Sequence, residues 1–540
     1  MARERLKGTE ADLAALLEPR DNILVRESVG DEPPDGSEQY PDRGVRHFYH
    51  CEGPFEHYER TVTWRREPDG VSVEQALCFR LAIPYWGWLY RLPAARALRR
   101  GLAPDVRPWW APPDRFTPAQ ARVAAAVCAL NVVGGMLYGL LTQVLTFVSV
   151  DLGDGSSGEQ TRVLAAVRAG IVVTLVVALL ADRVGRRRTA LGAFGAAAVI
   201  TLVTAAAPSL PFVTIAQFFS RNLAVGALLC ADTIAIEEMP AGSRAMIAGI
   251  GTLAYGLGAG LVVMTLPLAD VGIWGWRLTF VAAGVSLPVV LHTRRYLPES
   301  RRYQLLRLDR REQPSDGRSG SSAVNAGTVN LGAGTTGAGT GSLGTTGRWR
   351  LLRRLLLVGS IFVLLNVFLA PASQLQNDYL RTRVGFSATT MTIFILLTST
   401  PGGIGVVLGG QVADRYGRRW AIIPGLSALA VFYTIMFATT DAWLWISSLV
   451  ASIIGGMAAP ALAVITAELF PTVRRATIRG LVTGLAVAGS IIGLLLGGEL
   501  IDSLGYATAF ALLAAAPLAA VVLTFFLPQT HKRELEETSA

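Results

Sequence analysis

A seven-residue motif that occurs twice constrains this chain more than any other feature. The two copies are residues 181–187 (ADRVGRR) and 413–419 (ADRYGRR), and they lie 232 residues apart. Two further pairs of motifs recur at intervals of 231 and 230 residues, namely 237–240 (EEMP) with 468–471 (ELFP), and 297–300 (LPES) with 527–530 (LPQT). Because three different motifs share nearly one interval, the chain is predicted to contain two homologous halves.

The composition predicts that both halves lie in a membrane. Hydrophobic residues make up 51% of the chain and charged residues only 16%, and the mean hydropathy is +0.42. Four windows carry no Asp, Glu, Lys or Arg, namely 123–150, 245–269, 384–413 and 442–467. Each is long enough to cross a hydrocarbon core of about 30 Å, and only a helix satisfies its own backbone there.

We therefore expect an all-α membrane protein in which twelve transmembrane helices form two pseudo-symmetric six-helix halves. The spans are predicted at about 121–149, 162–181, 189–207, 210–236, 245–268, 274–292, 353–373, 388–412, 420–439, 442–467, 477–499 and 505–527. The predicted domains are a cytosolic domain (1–118), the first half (119–300), a flexible cytosolic linker rich in Gly, Ser and Thr (301–350), the second half (351–528) and a cytosolic tail (529–540).

Residues 1–118 differ in kind from the rest of the chain. Alternating apolar and polar residues at 59–64 and 71–81 flank a turn at 67–70, which is typical of a β-hairpin. A basic helix is predicted at 91–100. A small soluble α+β domain is expected here, and its role is open.

The arginines indicate how the spans are oriented. Most of them fall in loops of one parity, with Arg381 and Arg383 as exceptions, whereas the opposite loops carry mostly acids. The positive-inside rule places both termini and the central linker in the cytoplasm. Attraction to anionic lipid explains the net charge of +9, so nucleic-acid binding is not expected. Only Lys7 and Lys532 are lysines, a bias typical of GC-rich bacterial genomes, and we expect a multi-pass protein of the inner (plasma) membrane.

The chain has no Walker motif, nucleophile elbow or pair of catalytic carboxylates, so neither an enzyme nor a cofactor is expected. His47, His50, Cys51 and His57 match no zinc-ligand spacing, and no metal is expected. The expected partners are a small-molecule substrate and the lipid bilayer, with protons as a candidate coupling ion. The chain is expected to be a monomer.

Residues 410–419 (GQVADRYGRR) resemble the loop signature of the major facilitator superfamily, and Ala178 replaces the first glycine in the other copy. Residues 275–277 (GWR), 298–301 (PESR) and 468–472 (ELFPT) resemble sugar porters and metabolite–proton symporters of that superfamily. The resemblance covers about residues 120–537 and implies transport by alternating access. It also implies gating by the loop residues Asp182, Arg183, Gly185, Arg186, Glu237, Arg244, Asp414, Arg415, Gly417, Arg418, Glu468 and Arg475.

The chain departs from proton-coupled sugar porters at their coupling pair. Leu141 stands where they carry an Asp, and Gln217 stands where they carry the partner Arg. The sugar-binding Gln-Gln pattern of the seventh helix is absent, and only Asn366 lies near its place.

Ionisable side chains inside spans are costly and therefore indicate function. Arg221 and Asp232 share a face of the predicted fourth helix, about 16 Å apart, too far to pair directly. Arg221 is a candidate for binding an anionic substrate and Asp232 for proton coupling; the alternative is a structural network with neighbouring helices. Arg168 is predicted to be interfacial. Uncharged or outer-end polar side chains that are candidates to line the pathway are Gln143, Gln217, Asn366, Gln374, Gln376, Asn377 and Asp378.

The sequence thus predicts a secondary active transporter of a small organic solute, an organic acid, polyol or sugar-like compound, imported with protons. One alternative is an efflux antiporter for drugs or metabolites, although the Gly-Pro signature that drug antiporters carry in the fifth helix is absent. The other is a transporter-like receptor that signals through residues 1–118.

Overall fold

The computed structural model describes residues 2–29, 43–68, 70–100, 106–108, 110–299, 345–470 and 475–528. Its first part is an antiparallel sheet of strands β1 (Ala2–Gly8), β2 (Arg26–Val29), β3 (Arg43–Glu52), β4 (Phe55–Glu67) and β5 (Gly70–Leu81), in the order β1-β5-β4-β3-β2. Helix α1 (Glu10–Leu17) covers one face, and helix α2 (Gly87–Arg100) follows the sheet. The expected α+β domain and its hairpin are confirmed, since Glu67 pairs with Gly70 where β4 turns into β5.

The core of this domain combines apolar packing with a buried ion pair. Leu13 and Leu17 of α1 pack against apolar residues of the sheet, including Phe48. Arg60 and Glu27 are both completely buried, and the Arg60 Nε donates to Glu27 Oε1 at 2.8 Å. Burial and the neighbouring carboxylate raise the pKa of Tyr58, so its hydroxyl stays protonated and donates to Glu27 as well. An ion pair that excludes water in this way specifies one register of the strands.

The first six-helix half runs from α3 to α10. Its helices are α3 (Pro118–Leu152), α4 (Ser157–Ala169), α5 (Ile171–Val184), α6 (Arg186–Thr204), α7 (Leu210–Glu238), α8 (Arg244–Thr265), α9 (Trp276–Ala283) and α10 (Ser286–Thr293). Gly170 separates α4 from α5 within one span, and residues 284–285 separate α9 from α10 within another. Short 3₁₀ turns lie at Ala241–Ser243, Leu266–Val271 and Ile273–Gly275.

The second half repeats this plan from α11 to α20. Its helices are α11 (Thr345–Gln374), α12 (Gln376–Thr382), α13 (Ala388–Ser399), α14 (Gly402–Tyr416), α15 (Arg418–Met436), α16 (Ala442–Gly456), α17 (Ala458–Glu468), α18 (Arg475–Leu504), α19 (Tyr506–Leu513) and α20 (Ala515–Thr524). The linker expected at 301–350 and the tail expected at 529–540 fall mostly or wholly outside the described residues.

In the described part of the chain, eleven helical segments are long and apolar enough to cross a membrane. Helix α6 occupies the place of the remaining predicted span and has 19 residues, but it begins with three arginines that lower its mean hydropathy. Its counterpart α15 has the same length and is among the eleven.

The soluble domain is hydrogen-bonded to one end of the helix bundle, which we call the domain side. The Trp86 Nε1 donates to the Ala125 carbonyl of α3 at 3.2 Å. The Tyr85 hydroxyl lies 2.9 Å from the Thr293 hydroxyl at the end of α10. The opposite end of the bundle is called the far side.

Candidate functional site

The two halves meet through far-side segments of their helices. Helix α4 is largely buried and packs on α18, where the Gly158 N–H donates to Asp502 at 3.0 Å. Helix α5, the domain-side continuation of α4, exposes large apolar side chains such as Val172, Leu175 and Leu179. Helix α14 is similarly exposed at Ile404 and Val407, although the preceding α13 donates from Thr392 to the Val263 carbonyl. Among the described residues, the hydrogen bonds that join the two halves therefore lie at the far side.

A buried arginine, Arg221, lies midway along α7 of the first half. Arg221 is 3% exposed, and its guanidinium carbon lies 3.7 Å from the ring centre of Tyr138, at the middle of α3. Neither terminal nitrogen of Arg221 has a hydrogen-bond partner. Buried polar groups are nearly always satisfied, and an isolated buried charge is costly. The terminal nitrogens of Arg221 could therefore donate to an anionic or strongly accepting group.

A second cation lies beside it. Arg168 ends the far-side part of its span, and its Nε is buried without a hydrogen-bond partner. The Asn222 side chain, adjacent to Arg221, donates to the Val167 carbonyl at 2.9 Å, so the residues next to the two arginines are bonded to each other. Arg168 is close enough to act electrostatically on Arg221 and Tyr138. The prediction that Arg168 is interfacial is not supported by this position.

Asp232 lies three turns from Arg221, towards the domain side of α7. Its Oδ1 accepts from the Asn131 Nδ2 of α3 at 2.8 Å, and Asn131 also donates to the Val127 carbonyl of its own helix. Asp232 is partly buried, whereas Asn131 is buried. Among the described residues, neither Asp232 nor another carboxylate forms an ion pair with Arg221 or Arg168. The predicted separation of Arg221 and Asp232 is thus observed.

Three of the predicted pathway residues, Gln143, Gln374 and Asn377, form hydrogen bonds between the two halves. A fourth, Asn366, forms a hydrogen bond within its own helix. The Asn377 Nδ2 donates to Gln143 Oε1 at 2.8 Å, and Thr142 donates to Gln374 Oε1 at 2.8 Å. The Asn366 Nδ2 donates within its own helix to the Phe362 carbonyl. The structure therefore brings Gln143 and Asn377 together and leaves Asn366 apart from them.

Gln217 lies elsewhere, within the first half. It is completely buried between α7 and α6, where its Nε2 donates to the Thr204 hydroxyl at 3.1 Å. Its Oε1 has no hydrogen-bond partner.

A buried carboxylate holds the far side together. Asp378 of α12 is 1% exposed and accepts from the Gln160 Nε2 at 2.8 Å and from the Ser157 hydroxyl at 2.6 Å, both in α4. The Tyr506 hydroxyl donates to the same carboxylate. Hydrogen bonds from Ser157, Gln160 and Tyr506 thus meet at Asp378, where the two halves touch. We call these four residues the far-side latch.

Comparison with known proteins identifies the architecture. Residues 356–540 match the family described as "Major Facilitator Superfamily". The chain is 24% identical over 429 residues to the glucose transporter GlcP of Staphylococcus epidermidis, covering 76% of this chain and 95% of that protein. It is also 24% identical over 373 residues to the putative metabolite transport protein YyaJ of Bacillus subtilis, covering 66% and 80%. The second half of the chain thus matches the major facilitator superfamily, and most of the chain is similar to transporters.

Solved structures of that superfamily share the fold. The inward-open conformation of the xylose transporter XylE from E. coli superposes with a TM-score of 0.57 at 16% identity, covering 78% of this chain and 99% of the other. This transporter therefore has the superfamily's helix bundle, and the relatives are transporters and not enzymes.

The superfamily loop motifs lie at the domain side. Arg186 forms an ion pair with Glu237, linking the start of α6 to the end of α7. Gly185 and Gly417 have φ of +112° and +108°, which L side chains rarely adopt, and each forms the same break between two helices. The Arg418 Nη1 donates to the Ala413 carbonyl at 2.7 Å.

The other predicted gating residues make fewer described contacts. The Arg244 Nε donates to the Met239 carbonyl, Arg415 lies over the Tyr416 ring, and Arg183 is exposed. The side chains of Asp182, Asp414, Glu468 and Arg475 fall outside the described part of the structure.

Two residues of this transporter's candidate site escaped the sequence analysis. Tyr138, which covers Arg221, is one aromatic side chain among many in apolar helices, and nothing in the spacing distinguishes it. Asn131 is the one Asn in the predicted first span, so its position could have indicated a partner for an acid on another helix.

Proposed function

We propose that this transporter imports a small organic anion, such as a carboxylate-bearing metabolite, together with protons. The observation that carries the proposal is a pair of arginines at the middle of the first half, Arg221 buried and Arg168 half-buried, that form no ion pair with an acid among the described residues. An arginine guanidinium matches a carboxylate in a bidentate arrangement and stays charged under all physiological conditions.

Tyr138 has a specific part in this proposal. Its ring stacks on the Arg221 guanidinium and is itself only half-buried, so it separates the arginine from the space between the halves. A substrate carboxylate reaches Arg221 when the ring moves aside, and Arg168 contributes a second positive charge. Closure around the substrate removes water and strengthens these interactions.

Asp232 is proposed to carry the coupled proton. Asp232 lies on the same helix as Arg221 but nearer the domain side. It is partly buried, and its carboxylate accepts a hydrogen bond from Asn131. Closing the surrounding space would favour the neutral carboxyl group, because burial disfavours a carboxylate, so proton uptake is linked to conformation.

The orientation is part of the proposal. The positive-inside rule applied to the arginine-rich loops supports a cytoplasmic domain side, and the contacts that join the far side then support an inward-facing conformation. Alternating access requires the far-side latch to open and the domain side to close in the other state.

Uptake of D-glucuronate and D-glucose into proteoliposomes tests the proposal, because both form the same pyranose ring and differ by one carboxylate at C6. We expect an inward proton gradient to drive glucuronate uptake, or uptake of another acid in a panel of mono- and dicarboxylates, and to leave glucose outside. A collapsed gradient provides the control.

Neutral sugar transport is the second candidate, favoured by the similarity to a protein named as a glucose transporter over 95% of its length. Glucose uptake without any acid uptake would replace the anion proposal with this one. Proton-driven extrusion would indicate an efflux antiporter, and the absence of all transport would favour a receptor.

A further inference from the structure

An apolar cavity lies where the soluble domain meets the helix bundle. It has a volume of about 290 Å³ and is lined almost entirely by carbon atoms. Phe55 and Leu81 of the sheet form one wall, and Ala125 and Cys128 of α3 form the second. The third wall belongs to α8.

The α8 wall lies at the level of the bilayer. Ile250, Leu253, Ala254 and Leu257 line the cavity at helical spacing, and they belong to the candidate span Met246–Val271. Leu253 is 76% exposed, so the mouth of the cavity opens beside a helix face that lipid covers. A ligand reaches this cavity from the membrane more readily than from water.

Helix α2 borders the same mouth. It carries both exposed apolar residues and exposed arginines, a combination that is unusual for a soluble domain. Trp88 and Leu92 are 73% and 67% exposed at the start of the helix. Arg91, Arg96 and Arg99 are exposed on the same or adjoining faces, and the sequence of α2 contains no acid. Exposed Trp and Leu next to arginines are typical of a helix at the boundary between headgroups and acyl chains.

The position of α2 agrees with this character. Trp86, which immediately precedes the helix, donates to the carbonyl of Ala125, seven residues into the span of α3. The helix is therefore held at the membrane surface by a described hydrogen bond and not by its composition alone.

We propose that this cavity binds one acyl chain of an anionic phospholipid from the leaflet on the domain side, with the headgroup held by the arginines of α2. An acyl chain fits because the lining offers almost no hydrogen-bonding groups. An anionic headgroup fits because the nearby charges of α2 are all positive. The soluble domain thus acts as a lipid-binding module fixed to the first half.

Native mass spectrometry of the detergent-purified full chain tests this, with phosphatidylglycerol and phosphatidylcholine supplied in equal amounts. We expect one phosphatidylglycerol to be retained in preference to phosphatidylcholine. Ala125→Phe and Ala94→Leu, which fill the cavity, should each lower its occupancy at least fivefold. The double variant Arg96→Gln/Arg99→Gln should remove the headgroup preference.

The matched control is Arg43→Gln/Arg65→Gln, two exposed arginines paired across β3 and β4 at the end of the sheet remote from Phe55. It should retain the lipid as the unmodified chain does. Undiminished phosphatidylglycerol in cavity-filled variants that melt normally would overturn the proposal, as would equal retention of both lipids by the unmodified chain. If filling the cavity prevents folding, the exposed arginines of α2 decide the matter, because their replacement leaves the core unchanged.

Discussion

The two halves of this transporter repeat one scaffold but differ in charge at its middle. Arg221 precedes Glu237 by 16 residues, and Ser452 precedes Glu468 by the same 16 residues. Arg168 and Thr400 each stand 14 residues before the aspartate of their loop motif. The second half thus has small hydroxyl side chains where the first half has arginines.

The contacts at these positions differ as well. The Ser452 hydroxyl donates to the Ser399 carbonyl at 3.2 Å, so its hydrogen-bond partner lies within the second half. Arg221 has no such partner for its terminal nitrogens. We therefore propose that the repeated loops and helix breaks serve movement, which needs both halves, and that the first half alone provides the charges that bind the substrate.

The largest expected effect comes from removing the unpaired charge. Arg221→Met should lower kcat/KM for the anion at least about 100-fold, since each hydrogen bond to a charged group contributes about 1.5 to 3 kcal/mol. The same variant should raise the melting temperature of the substrate-free protein, because an unsatisfied buried charge is replaced by an apolar side chain. Uptake assays and thermal melting measure the two effects.

Ser452→Ala is the matched control in the second half. It should change kcat/KM by less than about fivefold, since a neutral hydrogen bond contributes about 1 kcal/mol or less. A fall in the melting temperature of Arg221→Met would mean that the arginine serves structure and that the charge difference has no bearing on substrate.

The next effect concerns the proton. Asp232 precedes Glu237 by five residues, and the corresponding residue of the second half is Ala463. Asp232→Asn should abolish accumulation driven by a proton gradient, which for one proton per anion amounts to about tenfold per pH unit. Exchange of substrate across the liposome membrane should persist, because the variant keeps Arg221.

Asn131→Ala is the companion variant, since it removes the hydrogen bonds to Asp232 and to the Val127 carbonyl but leaves the carboxylate in place. It should weaken coupling without abolishing it. Normal gradient-driven uptake by Asp232→Asn would exclude this residue from coupling and leave a proton-independent facilitator.

The sequence predicts only part of the difference between the two halves. Periodicity and uncharged windows place the spans, and the spacing of Arg221 and Asp232 on one helix correctly separates them. What the sequence does not specify is which helix faces meet. Gly170 breaks a span that hydropathy treats as continuous. Just before this break, the Val167 carbonyl accepts a hydrogen bond from Asn222, which brings Arg168 beside Arg221. The stacking of Tyr138 depends on the same tertiary contacts.

The far-side latch should give a smaller effect. Asp378→Asn replaces the carboxylate with an amide, which cannot accept hydrogen bonds from Ser157, Gln160 and Tyr506 as the carboxylate does. Losing roughly 1 kcal/mol of hydrogen bonding in the far-side-closed state should raise the population of the far-side-open state about fivefold. Spin labels at Val150 and Arg383 report the separation of the halves, after replacement of the exposed Cys51 and Cys78. Asp441→Asn, whose side chain caps α16 within one half, should leave the distance unchanged.

The smallest effect compares the two loop glycines. Gly185 and Gly417 have φ and ψ of 112°, 143° and 108°, 156°, a region that is nearly exclusive to glycine. Either glycine replaced by Ala should slow turnover a few-fold and leave KM within about twofold, because about 1 to 3 kcal/mol of backbone strain acts on the conformational equilibrium far from Arg221. Uptake at saturating substrate measures this.

The first copy of the loop carries an additional constraint. A Cβ at Gly185 would lie 2.8 Å from a carboxylate oxygen of Glu299, which accepts from the Arg187 N–H at 3.1 Å. Gly185→Ala therefore combines backbone strain with displacement of Glu299. In a Glu299→Ala background the displacement is absent, so the remaining effect of Gly185→Ala should equal that of Gly417→Ala. If the double variant stays slower than Gly417→Ala, the two loops differ in backbone strain, and their equivalence in the repeat does not extend to how they move.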